Sequence, residues 1–252
     1  MKNVGIQILI QVRMGSSRLP GKILKPFAGG YTVLEWIIER ARLSKYAERV
    51  VVATTTNPKD DEIQKICENI ACDFFRGSED DVLDRFAGAM KVFPSTLILQ
   101  INGDEPFVDL AEMDRLVEIV QKENLDYANN HPGGLPLGTG SEAYRSSAFD
   151  RVIAEAKDPY EHEHVTPYFY RHPELFEQKV IAPLDVHPFA PKARLTFDTQ
   201  EDFEFQQHLT NGIGLQDPKK QPTTYDILTF LQSHPEIVAI NKNVVQKTFP
   251  KA

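Results

Sequence analysis

Hydrophobic and polar positions alternate between two rhythms along the first half of the chain. Residues 4–12 are rich in Ile and Val and read as a buried strand. A polar, irregular stretch follows over residues 13–30. Thr32-Val33-Leu34-Glu35 then carries a capping-box signature, in which the Thr and Glu side chains satisfy each other's orphan N–H groups. Behind it, Val33, Leu34, Ile37, Ile38 and Ala41 share one helical face. Residues 49–53 predict a second strand. Asn57-Pro58 suits the cap and first position of a helix that turns Ile63, Ile66, Cys67 and Ile70 inward. Phe74-Phe75 is a short strand, and Ser78 is placed to cap a helix carrying Val82, Leu83 and Phe86. Residues 96–101 form a buried strand ending at Asn102-Gly103-Asp104, and a helix from about Asp109 buries Met113, Leu116, Val117 and Val120.

This βα repetition predicts an α/β fold: a mostly parallel sheet with helices on both faces. Such sheets bind ligands beyond the carboxyl ends of their strands. Two polar loops leave strands at that edge, residues 13–22 and 102–106. The second half is less regular. Residues 131–140 are rich in Gly and Pro and read as a loop. Strands are expected at 142–144, 178–182 and 194–197, and helices at 158–170, 200–209 and 223–232. No internal repeat or linker divides the chain, so residues 1–252 are expected to form one domain. The excursion around 131–192 is placed to cover a site or to make a dimer contact.

Composition narrows the choice of partner. With 41% hydrophobic and 25% charged residues, the 252-residue chain is of ordinary globular type and needs no disulfide or structural metal. Its net charge of −8 disfavours nucleic acid and anionic membranes, so an anionic substrate needs a basic loop of its own. No apolar run approaches membrane-spanning length, and residues 1–13 lack a signal-peptide pattern. Cys67 and Cys72, with four residues between them and no second pair, make a poor zinc site. They are expected in the core, in keeping with a reducing cytoplasm.

Three segments can carry chemistry. Arg13-Met14-Gly15-Ser16-Ser17-Arg18-Leu19-Pro20-Gly21-Lys22 follows a strand and combines three cations, two serines and two glycines. Glycines let backbone N–H groups approach an anion, and basic side chains neutralise it. It is not a Walker loop: five residues separate the glycines, and Ile23 follows the lysine. A solvated basic turn is the alternative. Gly103-Asp104-Glu105-Pro106 can hold Mg²⁺ against a phosphate, or be a simple turn. Asp198, in Arg194-Leu195-Thr196-Phe197-Asp198-Thr199, can join it or cap the next helix. In Glu161-His162-Glu163-His164 the histidines are two apart, not the four of a helical zinc pair. One can contact an anionic acceptor, or both can be surface or capping residues.

Taken together and in this order, the segments resemble the CMP-sugar synthetases. Ile10-Gln11-Val12-Arg13 through Lys22 resembles the family's opening, most like the spore coat polysaccharide cytidylyltransferases and less like the ketodeoxyoctonate and acylneuraminate enzymes. The likeness continues through Arg76 to Arg85, Gly103 to Pro106, Glu163 to Tyr168 and Arg194 to Asp202. It implies a nucleotide-diphospho-sugar transferase fold, a three-layer α/β/α sandwich with a mixed sheet. It also implies CTP, Mg²⁺, an acidic sugar or similar anionic acceptor, pyrophosphate release and a homodimer. By the same resemblance Arg13 and Lys22 hold the triphosphate, with Gly15, Ser16, Ser17 and Arg18 in the same loop. Asp104 and Asp198 hold metal, and Asn102 lies beside them. Thr54, Thr55 and Ser78 form the base and ribose edge, and His164 lies near the acceptor. Gln200 departs from the family, which commonly has proline there. Two rivals stand beside this reading: a glycosyltransferase of related fold, which needs no triphosphate loop, and a non-catalytic module that binds nucleotides or glycans.

Overall fold

The computed structural model describes residues 4–131 and 134–246. Five strands and helices alternate first: β1 (Val4–Gln11), α1 (Val33–Ala41), β2 (Arg49–Thr55), α2 (Asp61–Asn69), β3 (Asp73–Gly77), α3 (Val82–Val92), β4 (Ser95–Asn102), α4 (Leu110–Lys122) and β5 (Tyr127–Asn129). Then follow β6 (Glu142–Arg145), α5 (Ser146–Glu155), α6 (Pro159–His164), α7 (Pro167–Arg171) and β7 (Gln178–Val180). Three helices end the described chain, α8 (Gln200–Gly212), α9 (Thr224–Ser233) and α10 (Pro235–Asn241).

The strands form one mixed sheet in the order β3-β2-β1-β4-β6-β5-β7. β1 to β4 are mutually parallel, β6 runs antiparallel to β4 and β5, and β7 is parallel to β5. Side chains alternate across a strand, so Ile6, Ile8 and Ile10 of β1 enter one core while Leu9 enters the other. The first core packs against α1, α2, α4, α8, α9 and α10, and the second against α3, α5 and α7. This is the expected three-layer sandwich. Cys67 and Cys72 lie buried in the first core. Among the described residues no helix is long and apolar enough to cross a membrane.

Several local expectations are corrected. Residues 194–197 form no strand; Arg194 makes an isolated bridge to Leu137, and the stretch is held by N–H bonds from Leu195 to the Leu137 carbonyl and from Phe197 to the Asp104 carbonyl. The helix expected over 158–170 is two short helices, because Pro167 cannot continue α6. Between them Val165 has φ 67° and ψ −67°, and the Thr166 N–H bonds to the His164 carbonyl. This is a strained γ-turn, rare for a β-branched residue. α3 is capped by Asp81, not Ser78, whose hydroxyl accepts from the Asp81 N–H. β5, α5 and α10 escaped the pattern reading. Residues 131–192 are more than an excursion, since β6 sits inside the sheet between β4 and β5.

Gly138 positions the stretch that carries Asp198. Its φ is 93°, and a Cβ there would lie 2.3 Å from the Thr196 nitrogen. Gly138→Ala combines a left-handed backbone with a backbone clash. It is expected to destabilise the fold by about 2 kcal/mol or more. A lower urea midpoint at unchanged slope is the expected result.

Candidate active site

β1 and β4 lie side by side, with Gln11 opposite Asn102, so the two polar loops emerge together. The first is shaped by its own turns. Gly21 adopts φ 67°, and its N–H returns to the Met14 carbonyl, closing residues 14–21 into a loop. The loop is anchored from below by Asp60, which accepts from the Met14 N–H at 2.9 Å. Arg13 is tied to the Glu79 carbonyl at 3.0 Å. Gly103 must be small where the loops touch, because a Cβ would lie 3.0 Å from the Gln11 carbonyl and 2.5 Å from Val12.

The centre of the site is an ion cluster. Lys22 Nζ donates to Asp104 at 2.9 Å and to Asp198 at 3.0 Å. Arg18 and Arg194 also bind Asp198, at 2.9 and 3.0 Å. Arg194 is fixed in turn by the wholly buried Asp202, which also accepts from the Asp198 and Thr199 N–H groups. Burial alone would lower the Lys22 pKa, but the two carboxylates raise it above the ordinary lysine value. For Asp198, burial pushes upward, and Lys22 and Arg18 outweigh it and hold the carboxyl below its ordinary value. Both groups are therefore charged near neutrality. Thr199 caps α8, which leaves the neighbouring Asp198 carboxylate free of the capping role and in the ion cluster.

A cavity of about 690 Å³ opens over this cluster. Of the residues expected at the site, Arg13, Gly15, Ser16, Ser17, Arg18, Lys22, Asn102, Asp104, His164 and Asp198 all line it. His162 does not; it turns to Asp81 at 2.7 Å. Thr54 and Thr55 are corrected. Both are fully buried with their hydroxyls bonded to Asp60, so they support the loop anchor and reach no cavity. Ser78 lies outside this lining, and its hydroxyl accepts from the Asp81 N–H at the start of α3. The expected base edge is thus not formed by the Thr54 and Thr55 side chains.

Glu105 of the Gly103–Pro106 turn lines it as well, and the cavity also holds residues no motif pointed to: Gln100, Tyr127, Asn129, His131, Glu142, Tyr160 and Tyr170. Glu142 lay in a predicted strand beside Gly140, where a charged residue was the available signal. Tyr127 and Asn129 belong to a three-residue strand too short to show a period. Among the described residues, no group of three or more His, Cys, Asp or Glu side chains could hold a metal. A cation at this site would find two carboxylates, a number that suits Mg²⁺ bound jointly with phosphate oxygens.

Glu105 is buried beneath the cluster and accepts from the Asn102 N–H at 3.0 Å. Burial, reinforced by Asp104, pushes its pKa up to about 8. Its folded pKa exceeds the unfolded one, so the folded state holds the extra proton between about pH 4.5 and 8 and loses stability as pH rises through that window. Glu105→Gln is expected to flatten the fall in melting temperature between pH 5 and 8. Parallel slopes for the variant and the parent would contradict this.

Residues 7–228 match the family model described as cytidylyltransferase. The chain is 36% identical to protein MJ1063 of Methanocaldococcus jannaschii over 249 residues, covering 99% of this chain and 98% of that protein. It is 32% identical over 238 residues to the spore coat polysaccharide biosynthesis protein SpsF of Bacillus subtilis, covering 92% and 95%. The solved structure of a cytidylyltransferase from Leptospira borgpetersenii superposes with a TM-score of 0.85 at 29% identity, covering 98% of this chain and all of that one. By these matches the chain belongs to the cytidylyltransferase family of nucleotidyltransferase enzymes.

Proposed function

We propose that the protein transfers CMP from CTP to a sugar-type acceptor bearing an acidic group, releasing pyrophosphate, in the synthesis of a surface polysaccharide or glycoconjugate. The observation that carries this reading is the convergence of Arg13, Arg18 and Lys22 with Asp104 and Asp198 at one end of a single cavity. Family membership supports CTP, and the similarity to SpsF supports a polysaccharide pathway. A glycosyltransferase would have no use for so dense a basic loop.

In the proposed reaction an acceptor oxygen attacks the α-phosphorus of CTP, an O–P bond forms, and the bond to the bridging α–β oxygen breaks as pyrophosphate leaves. Arg13, Arg18 and Lys22 neutralise the triphosphate, and Gly15, Ser16 and Ser17 offer close-range donors to its oxygens. Asn102 and His164 position the acceptor side. Asp104 and Asp198 would hold Mg²⁺, which when bound neutralises charge on the phosphates and lowers the pKa of the attacking hydroxyl. Lys22 lies between these two carboxylates, where a cation is already favoured. No side chain needs to form a covalent intermediate, and catalysis rests on positioning and electrostatics. A homodimer in the cytoplasm completes the proposal, and light scattering at assay concentration checks the dimer.

Pyrophosphate release measured with each of the four NTPs and a panel of acidic sugars tests the reaction, with turnover expected for CTP above the others. Lys22→Ala is expected to weaken CTP binding at every magnesium concentration. Asp104→Asn is expected to lower turnover about a hundredfold, or ~3 kcal/mol, with partial recovery in excess magnesium. Full turnover of Asp104→Asn at low magnesium would make Asp104 a turn residue only.

A further inference from the structure

The family match ends at residue 228, and the chain beyond it returns to the ion cluster. α10 packs on α8 and buries Asn241, whose Nδ2 donates to the Arg194 carbonyl at 3.1 Å and to Asp202 at 2.9 Å. Beyond that helix the half-buried Gln246 lines the cavity. Its Oε1 accepts from Arg194 Nη1 at 2.5 Å. The rest of the Arg194 fork is occupied, with Nε and Nη2 on Asp202 and Nη2 also on Asp198. A guanidinium offers donors only, so the Gln246 oxygen must be the atom facing it and the amide nitrogen must turn away. Among the described residues no hydrogen bond engages that nitrogen.

Asp198 sorts the groups on either side of it. Its Oδ1 faces Arg18 and Lys22 of the basic loop, and its Oδ2 faces Arg194. Gln246, hung on Arg194, therefore reaches the cavity from the side of Asp198 away from the loop. Leu137, which bridges to Arg194, and Thr196 line the cavity there too. Leu137 is apolar, and the Thr196 hydroxyl is committed to the Asp104 carbonyl at 3.2 Å. The Gln246 amide nitrogen is the donor that this wall keeps open to a ligand. With its oxygen held by Arg194, the amide can recognise only a lone pair, and it rejects a group that is a donor alone.

We infer that Gln246 is a specificity-determining residue for the acceptor, its Nε2 donating to an acceptor oxygen on the side of Asp198 away from the basic loop. Arg194 sets the direction of the amide, and Asn241 holds the C-terminal segment on the Arg194–Asp202 pair, so residues outside the family match complete the site. This inference rests on the cytidylyl-transfer reading, which gives the loop to the triphosphate and leaves this wall to the second substrate.

The test follows the side-chain amide resonance of Gln246 in the ¹⁵N-labelled full chain, assigned by its loss in Gln246→Leu. Ketodeoxyoctonate, an acylneuraminate and a hexuronate are titrated in turn, and CTP with Mg²⁺ separately. At least one sugar acid is expected to shift the resonance, and CTP is expected to leave it in place. For that sugar acid, Gln246→Glu is expected to raise the acceptor KM, read by pyrophosphate release, about tenfold or more, with CTP affinity and melting temperature close to the parent's. Gln246→Glu is the decisive variant because it keeps an oxygen on Arg194 and loses only the donor. A residue that merely covered Arg194 would tolerate it, so an unchanged acceptor KM overturns the assignment. So does a loss that falls on CTP instead, and so does a resonance that no sugar acid moves. CTP titrated alone reports on the nucleotide reading. Tight CTP binding beside a silent resonance sinks only the role of Gln246, and a resonance that answers to a sugar acid in a chain that does not bind CTP sinks only the cytidylyl assignment.

Discussion

The bridge from Lys22 to Asp104 and Asp198 joins three distant parts of the chain at one point. Two carboxylates this close repel each other, and both are partly withdrawn from water. The ammonium between them makes the arrangement tolerable, and Arg18 and Arg194 complete the charge balance around Asp198. Everything else at the site is support for that cluster. The Gly21 turn directs Lys22 inward, β4 delivers Asp104, and the Gly138 contact lets the Asp198 stretch lie against the loop before it. Removing the lysine alone leaves the buried Asp198 facing the half-buried Asp104 without the cation between them, so this residue is structural whatever else it binds.

The cluster also shows why polar burial is concentrated where it is. Asp60, Asp202 and Asn241 are nearly or fully buried, yet each is bonded to backbone or side-chain partners that hold the site's loops. Such networks fix geometry when every member is satisfied. Thr54 and Thr55 belong to this hidden layer. They hold Asp60, Asp60 holds the Met14 N–H, and the basic loop keeps its shape without either threonine lining the cavity.

Much of this was legible in the sequence, and the reasons differ by region. β1, β2, β4 and their helices are long, apolar on the buried positions and capped by recognisable residues such as Thr32, so periodicity located them. The loop from Arg13 to Lys22 stood out because its composition serves no packing purpose. Asp198 was harder, since the stretch carrying it is extended without being a strand. Its backbone bonds go to Leu137 and Asp104, partners that no local pattern encodes. The far end of the cavity was almost invisible. Tyr127, Asn129 and Glu142 meet only through the antiparallel pairing of two short strands separated by an irregular loop. Thr54 and Thr55 were misplaced for the converse reason: hydroxyls near a strand end serve a buried aspartate as readily as a ligand.

The turn at Val165 has a consequence for redesign. On a continuous helix His164 and Thr166 would project about 200° apart and could not serve one surface. The positive-φ residue between them folds both into the cavity and buries the valine, at a strain of about 1–3 kcal/mol held by the surrounding core. The triplet and the proline behind it therefore form one indivisible module. Exchanging this wall of the cavity with a relative's means transplanting that module whole. A graft that straightens residue 165 rotates one of the two side chains off the pocket, however faithful its other substitutions are.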